Sequence, residues 1–272
     1  MTGIAGPLLL VGSGKMGTAL LGGWLDHGLA KEDVLVVEPA VAGREAVAAL
    51  GVEAVGGPED IPEGRAFRAI IFAVKPQMMM DVLPVYRNIA AGGALVISIA
   101  AGTGIGRFED VFGANTSIVR SMPNTPAAIG KGATALFANP RVDDPQRSLA
   151  EALMAAVGEV HWLEDEEQMH VVTAMSGGGP AYVFLMIETL AKAGIAGGLP
   201  DALAWPMARA TVTGSGALAA ASKEPAAVLR QNVTSPGGTT QAALEVLMAD
   251  EGIQPLFDRA LRAASERSRQ LA

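Results

Sequence analysis

A glycine-rich turn between an apolar run and a helical stretch restricts this chain more than any other feature. Residues 8–11 read Leu-Leu-Leu-Val and lead directly into Gly12-Ser13-Gly14-Lys15-Met16-Gly17, a G-x-G-x-x-G spacing. Strand, glycine turn and helix in that order are the opening of a dinucleotide-binding unit. Gly12 would make the tight turn, Gly14 would let the backbone approach a pyrophosphate, and Gly17 would let helix and strand pack closely. The helix N-terminus would face the negative charge. A second apolar run, 34–37 (VLVV), ends in an acid, Glu38, about 20 residues beyond Gly17, the distance at which such folds place a ribose ligand. A glycine turn needed only for packing is the simpler reading of the same residues.

The pattern continues. Helical stretches are expected at 16–27 and 42–50, and strands at 69–74 (AIIFAV), 94–99 (ALVISI), 117–121 and 133–137. Continuous apolar strands, rather than alternating ones, suit a parallel sheet covered by helices on both faces. Strand ends at the carboxyl edge line the ligand crevice of such a sheet. That edge should therefore hold Ala73-Val74-Lys75-Pro76, Ile99-Ala100-Ala101 and Met122-Pro123-Asn124. Small residues there would let a flat nicotinamide ring lie close, and the Asn124 amide could position a polar group. For Lys75, which could support the cofactor there, a solvated lysine at a turn is the alternative.

The character changes near Val160-His-Trp-Leu163, and from Glu164 onward the chain reads as helical almost throughout. Breaks are expected at 176–180 (SGGGP), 197–200 (GGLP), 223–225 (KEP) and 235–238 (SPGG), where Gly or Pro accompanies a capping residue. The fold class is thus α/β: a Rossmann-like dinucleotide-binding domain over 1–162, followed by an all-helical domain over 163–272. Met78-Met79-Met80 and Trp205 read as gap-filling core residues.

Composition removes several function classes. The net charge is −8 and no Lys/Arg-rich run occurs, which argues against a nucleic-acid partner. Cysteine is absent, which excludes disulfides and thiolate chemistry. The histidines, His27, His161 and His170, lack metal-ligand spacing, so no metal is expected. The first apolar run stops at a glycine, and later ones are interrupted before membrane length. No membrane partner and a cytoplasmic location follow as expectations.

The stretch Val233-Thr-Ser-Pro-Gly-Gly-Thr-Thr-Gln-Ala-Ala-Leu244 admits two readings. It is a helix start with turn residues before it, or a cradle for an anion built from Ser235, Thr239 and Thr240 hydroxyls and the open amides of Gly237 and Gly238. Together with GSGKMG, AVKP at 73–76, MPNTP at 122–126 and SGGGPAY at 176–182, it resembles the signature of the pyrroline-5-carboxylate reductase family, with the landmarks in the family's order along nearly the whole chain. The resemblance implies NADPH- or NADH-dependent reduction of 1-pyrroline-5-carboxylate to L-proline, the last step of proline synthesis, by hydride transfer to the imine carbon. It implies a C-terminal substrate and dimerisation domain, a homodimer through interleaved helical domains, and further assembly such as a decamer. Thr240 matches a proposed donor to the imine nitrogen, Asn232 a cofactor contact, and Glu166 a position near the ligand. For Glu166, a solvated residue of the acidic run 164–167 is the alternative. The family often has serine where Gly178 stands, so any hydroxyl role there is missing in this chain.

Glu38 leans the cofactor choice towards NADH, since a carboxylate accepts from ribose hydroxyls and repels a 2′-phosphate, whereas Arg44 lies close enough in sequence to reach that phosphate. Two other functions were weighed. A β-hydroxyacid dehydrogenase would need a catalytic lysine on the helical domain, for which Lys192 stands on a long helix without the usual glycine and asparagine companions. A nucleotide sensor without turnover has no use for a carboxylate cradle.

Overall fold

The computed structural model describes residues 4–272. Eight strands form one sheet: β1 (Leu8–Val11), β2 (Val34–Val37), β3 (Glu53–Val55), β4 (Ala69–Phe72), β5 (Leu95–Ser98), β6 (Ile118–Met122), β7 (Gly132–Ala138) and β8 (Gly158–Trp162). Their order is β3-β2-β1-β4-β5-β6-β7-β8, so the winding reverses at β1. That reversal opens a crevice beyond the carboxyl ends of β1 and β4. The strand runs are apolar without alternation because both faces are covered: every residue of β1, β2, β4 and β5 is buried.

Two helical layers provide that cover. On one face lie α1 (Lys15–Asp26) and α6 (Asp144–Ala155), which carry Leu20, Leu21, Trp24, Leu149 and Leu153 into the core. The Trp24 indole N–H donates to the Leu153 carbonyl at 2.8 Å, joining the two helices. On that same face α2 (Val41–Ala49) buries Val47 in the same cluster, and the opposite face is covered by the short turns α3 (Met79–Val82) and α4 (Arg87–Ala90) and by α5 (Ile105–Phe112). There Phe72 meets Tyr86 edge-on, with ring centroids 5.4 Å apart. Each fully buried large apolar side chain in these layers contributes about 1.5–3 kcal/mol. The start of α6 is fixed by a reciprocal cap: Asp143 accepts from the Gln146 N–H at 2.8 Å, and the Gln146 amide oxygen accepts from the Asp143 N–H.

Three sequence expectations are corrected. The sheet is not parallel throughout, since β7 runs antiparallel to β6. The link between them, residues 123–131, is too short for the crossover a parallel neighbour requires. Strands β3 and β8 add to those expected from the sequence; β8 alternates its exposure as an edge strand does and so lacks a continuous apolar run. Of the methionine run, only Met79 is in the core, while Met78 and Met80 are 47% and 41% exposed, because the run follows a helical turn that points one residue in three inward.

Beyond β8 come α7 (Gln168–Val172), α8 (Gly179–Ala196), α9 (Asp201–Ala221), α10 (Ala226–Asn232), α11 (Thr239–Leu247) and α12 (Ile253–Leu271). The break expected at 176–180 is an interruption of regular α-helix rather than a loop. A π-helical turn over Thr173–Gly177 carries α7 into α8, and Pro180 sits in the first turn of α8, where its missing N–H costs no hydrogen bond. Residues 168–196 therefore form one helical run with mean hydropathy 1.2, long and apolar enough by composition to cross a membrane. Only 11% of its most apolar window is buried. The other expected breaks fall between helices.

Close contacts group the chain into two units, one running through Gly177 and including Ala264–Ala272, the other Gly178–Ala263. By contact the first unit extends past the 162/163 boundary read from the sequence, because α7 packs against β7 and the last turns of α12 join the sheet unit. His170 of α7 is buried there, and its Nδ1 lies 2.9 Å from the Ser268 hydroxyl of α12.

Candidate active site

The carboxyl end of β1 shows why glycine is required at two of the three positions and what the third leaves open. Gly12 has φ +94°, and a Cβ on it would press on Ala73 and Val74 at 3.1 Å. A Cβ on Gly17 would collide with the Gly12 carbonyl, so helix α1 could not approach the turn. Gly14 differs: nothing lies within 4 Å of where its Cβ would point. It precedes α1, and no side chain caps that helix. Open backbone, uncapped N–H groups and the positive end of a helix dipole together suit a pyrophosphate. Lys15 is exposed and Met16 half-buried at the same turn.

Glu38 closes this loop from the end of β2. Its Oε2 accepts from the Ser13 N–H at 2.8 Å and from the Ser13 hydroxyl at 3.0 Å, and its Oε1 accepts from the Ala40 N–H at 2.9 Å. Arg44 donates to the carbonyls of Glu38 and Pro39 at 2.9 and 2.7 Å. Burial pushes the carboxyl pKa up, but the Ser13 and Ala40 amides, the Ser13 hydroxyl and Arg44 outweigh it, and the net shift is downward. The group is thus held ionised. A carboxylate offers about four acceptor positions; one remains on Oε1 for a ribose hydroxyl.

The other strand ends form the walls of the crevice. Ala73 and Val74 are half-buried, and Lys75 and Pro76 are exposed at the start of a 3₁₀ turn. Ile99 and Ala101 are half-buried and Ala100 is buried, with its N–H donating to the Ser98 hydroxyl at 3.2 Å. Met122 is half-buried and Pro123 buried. The Asn124 side chain has partners within the protein: Oδ1 accepts from the Ala133 N–H at 2.9 Å, and Nδ2 donates to the Ser176 carbonyl and hydroxyl at 3.3 and 3.2 Å. It ties the Met-Pro-Asn loop to the π-helical turn.

Glu166 is similarly engaged. Its Oε1 accepts from the buried Arg120 at 2.9 Å and from the Ile105 N–H, at the start of α5, also at 2.9 Å. This is a brace between β6 and α5 rather than a solvated acid. Nearby, burial first and Arg120 second push the His170 pKa down, which keeps the imidazole neutral. His161 is 70% exposed on β8. Among the described residues no cluster of three or more His, Asp or Glu could hold a metal.

In the second unit, the Ser-Pro-Gly-Gly segment leads into α11. Gly237 has φ +70°, Gly238 is the residue before the helix, and no side chain caps α11. Nothing lies within 4 Å of a Cβ placed on Gly237. Ser235, Gly237, Thr239 and Thr240 are exposed, Gly238 is half-buried, and Asn232 is exposed at the end of α10. One contributor escaped sequence reasoning. Gln241, in the first turn of α11, reaches back to accept from the Gly237 N–H at 2.7 Å and donates to Glu245 at 3.0 Å. A glutamine three places after the helix-preceding residue is the signal that was available for it. Lys192 lies 66% exposed on α8, paired with Glu188 at 3.5 Å one turn away.

With this geometry established, similarity to known proteins becomes informative. Residues 166–271 match the family described as pyrroline-5-carboxylate reductase dimerisation, and residues 8–102 match NADP oxidoreductase coenzyme F420-dependent. Pyrroline-5-carboxylate reductase of Pseudomonas aeruginosa is 37% identical over 266 residues, 97% of this chain and 96% of its own length. The chain belongs to the pyrroline-5-carboxylate reductase family. Among solved structures, the pyrroline-5-carboxylate reductase of Coxiella burnetii superposes with a TM-score of 0.92 at 34% identity, covering 98% of this chain and 99% of that one. The Plasmodium falciparum pyrroline carboxylate reductase, solved with NADP bound, gives 0.81 at 30% identity and covers 100% and 99%. For this pyrroline-5-carboxylate reductase family member, the match of 166–271 to a dimerisation family points to oligomerisation through the helical half. The exposed side chains agree: Phe184, Leu185 and Met186 of α8 are 61%, 59% and 40% exposed.

Proposed function

We propose that the enzyme reduces 1-pyrroline-5-carboxylate to L-proline, the last step of proline biosynthesis, with a reduced nicotinamide dinucleotide. That cofactor, when bound, supplies the hydride that adds to the imine carbon. The observation that carries the reading is the uncapped mouth of α11, where the exposed hydroxyls of Ser235, Thr239 and Thr240 stand beside the N–H groups of the helix's first turn and suit a small carboxylate. Membership of the family supports the same substrate.

In this reading Gly12, Ser13, Gly14, Lys15, Met16 and Gly17 hold the pyrophosphate, and Glu38 accepts from the ribose, which favours NADH over NADPH. The strand ends at Ala73–Pro76 (73–76), 99–101 and 122–124 shape the nicotinamide site, and Asn232 adds a contact from the helical domain. Ser235, Gly237, Gly238 and Thr239 grip the substrate carboxylate. Thr240 hydrogen-bonds the imine nitrogen and supplies or relays its proton, since an iminium accepts hydride far better than a neutral imine. Holding both reactants in place accounts for most of the rate. Glu166 lies behind the site and positions the start of α5. The domains act as a nucleotide half, 1–162, and a substrate and dimerisation half, 163–272.

The working unit is a homodimer that assembles further, with a decamer as the proposed form. Its surroundings are the cytoplasm, without nucleic acid or membrane as partner; a net charge of −8 supports the first exclusion. The test is direct: purified protein mixed with 1-pyrroline-5-carboxylate and NADH or NADPH should consume the reduced-nicotinamide absorbance and form proline. Cofactor binding without turnover would overturn the enzyme reading in favour of a sensor.

A further inference from the structure

Gly43 is the third residue of α2, where alanine would make a more stable helix. Its φ is not positive, so backbone conformation does not require glycine. The reason lies in what a side chain would touch. A Cβ at this position would stand 2.6 Å from Glu38 Cγ, 3.0 Å from Glu38 Cδ and 3.3 Å from Ser13 Oγ. These three nearest atoms all belong to the clasp in which the Glu38 carboxylate accepts from Ser13. None is backbone, so the fold can absorb a methyl group by moving side chains, chiefly that of Glu38, with the Ser13 hydroxyl giving by a few tenths of an ångström.

We infer that Gly43 is a specificity-determining position: its missing side chain is what seats the Glu38 carboxylate in the phosphate loop, and so sets the choice between NADH and NADPH. The inference rests on the proposed ribose-facing role of Glu38. With the carboxylate seated, its remaining acceptor position faces a 2′-hydroxyl and its charge repels a 2′-phosphate. Displaced, it loses the Ser13 donors and no longer presents that acceptor. The Ser13 and Ala40 N–H groups and Arg44 are then left for an anion.

The experiment measures dissociation constants for NADH and NADPH by titration without substrate, so it does not depend on turnover. Four proteins are compared: wild type, Gly43→Ala, Glu38→Ser and the double variant. Gly43→Ala should narrow the preference for NADH by about tenfold, the scale of one lost hydrogen bond to a charged group, chiefly through weaker NADH binding. Its melting temperature should hold or rise. In the Glu38→Ser background the same change should leave the preference untouched, because there is no carboxylate to displace. An unchanged preference in Gly43→Ala overturns the inference, as does an equal effect in the Glu38→Ser background. A wild type that favours NADPH overturns the ribose-facing role of Glu38 itself, and one that binds neither cofactor overturns the proposed function.

Discussion

Thr240 shows how much chemistry one hydroxyl can be given and how it can be checked. It stands exposed in the first turn of α11, on a helix that no side chain caps. As proton donor it should matter to the chemical step and not to the dinucleotide. Thr240→Val is expected to lower kcat about a hundredfold with the NADH dissociation constant unchanged, whereas Thr240→Ser keeps most of the rate. A Val variant with full kcat would assign the proton to water. At this scale the glycines were legible in the sequence, since Gly12 and Gly17 answer to backbone geometry that a local pattern encodes and Gly14 keeps the approach to that turn open. Asn124 and Glu166 were not. Their partners, Ser176 and Arg120, lie about fifty residues away in the chain, and no local spacing announces such a pairing. Gly43 was missed for the same reason, because its importance comes from the side chain of another residue.

At the scale of elements, the loop before α11 is set by one strained position and one brace. Gly237 needs φ +70°, and its N–H is held by Gln241. Gly237→Ala meets no steric obstacle, so its cost is the left-handed backbone alone, about 1 kcal/mol. The expected outcome is a KM for the imine raised about tenfold by misplaced amides, with kcat less affected and only a small fall in melting temperature. An unchanged KM would remove this loop from the substrate site. Elements were legible where period and punctuation agreed, as in the buried parallel strands and the breaks before α9, α10 and α11. They were misread where a tertiary constraint decided. The short 123–131 link reverses β7, and the π-helical turn lets three consecutive glycines continue a helix.

For the whole molecule, the decisive feature is apolar surface without cover on α8, where Phe184 is 61% exposed and Leu185 59%. Apolar side chains exposed in this way suit association with another copy of the chain. Phe184→Glu should place a charge in that contact and shift the protein towards monomer in sedimentation, with activity falling in proportion to the lost assembly. Full activity in a demonstrably monomeric sample would separate catalysis from association. The sequence conveyed the two-part organisation through its change from β-like runs to helices. It could not convey that the last turns of α12 rejoin the first unit, because that depends on Ser268 meeting the buried His170.

That return makes the helical unit an insertion within the nucleotide unit. Its excision would need two cuts and a splice between them. A fragment ended at Gly177 would leave the buried imidazole of His170 without its hydroxyl companion, so the sheet unit is continuous in space but not along the chain.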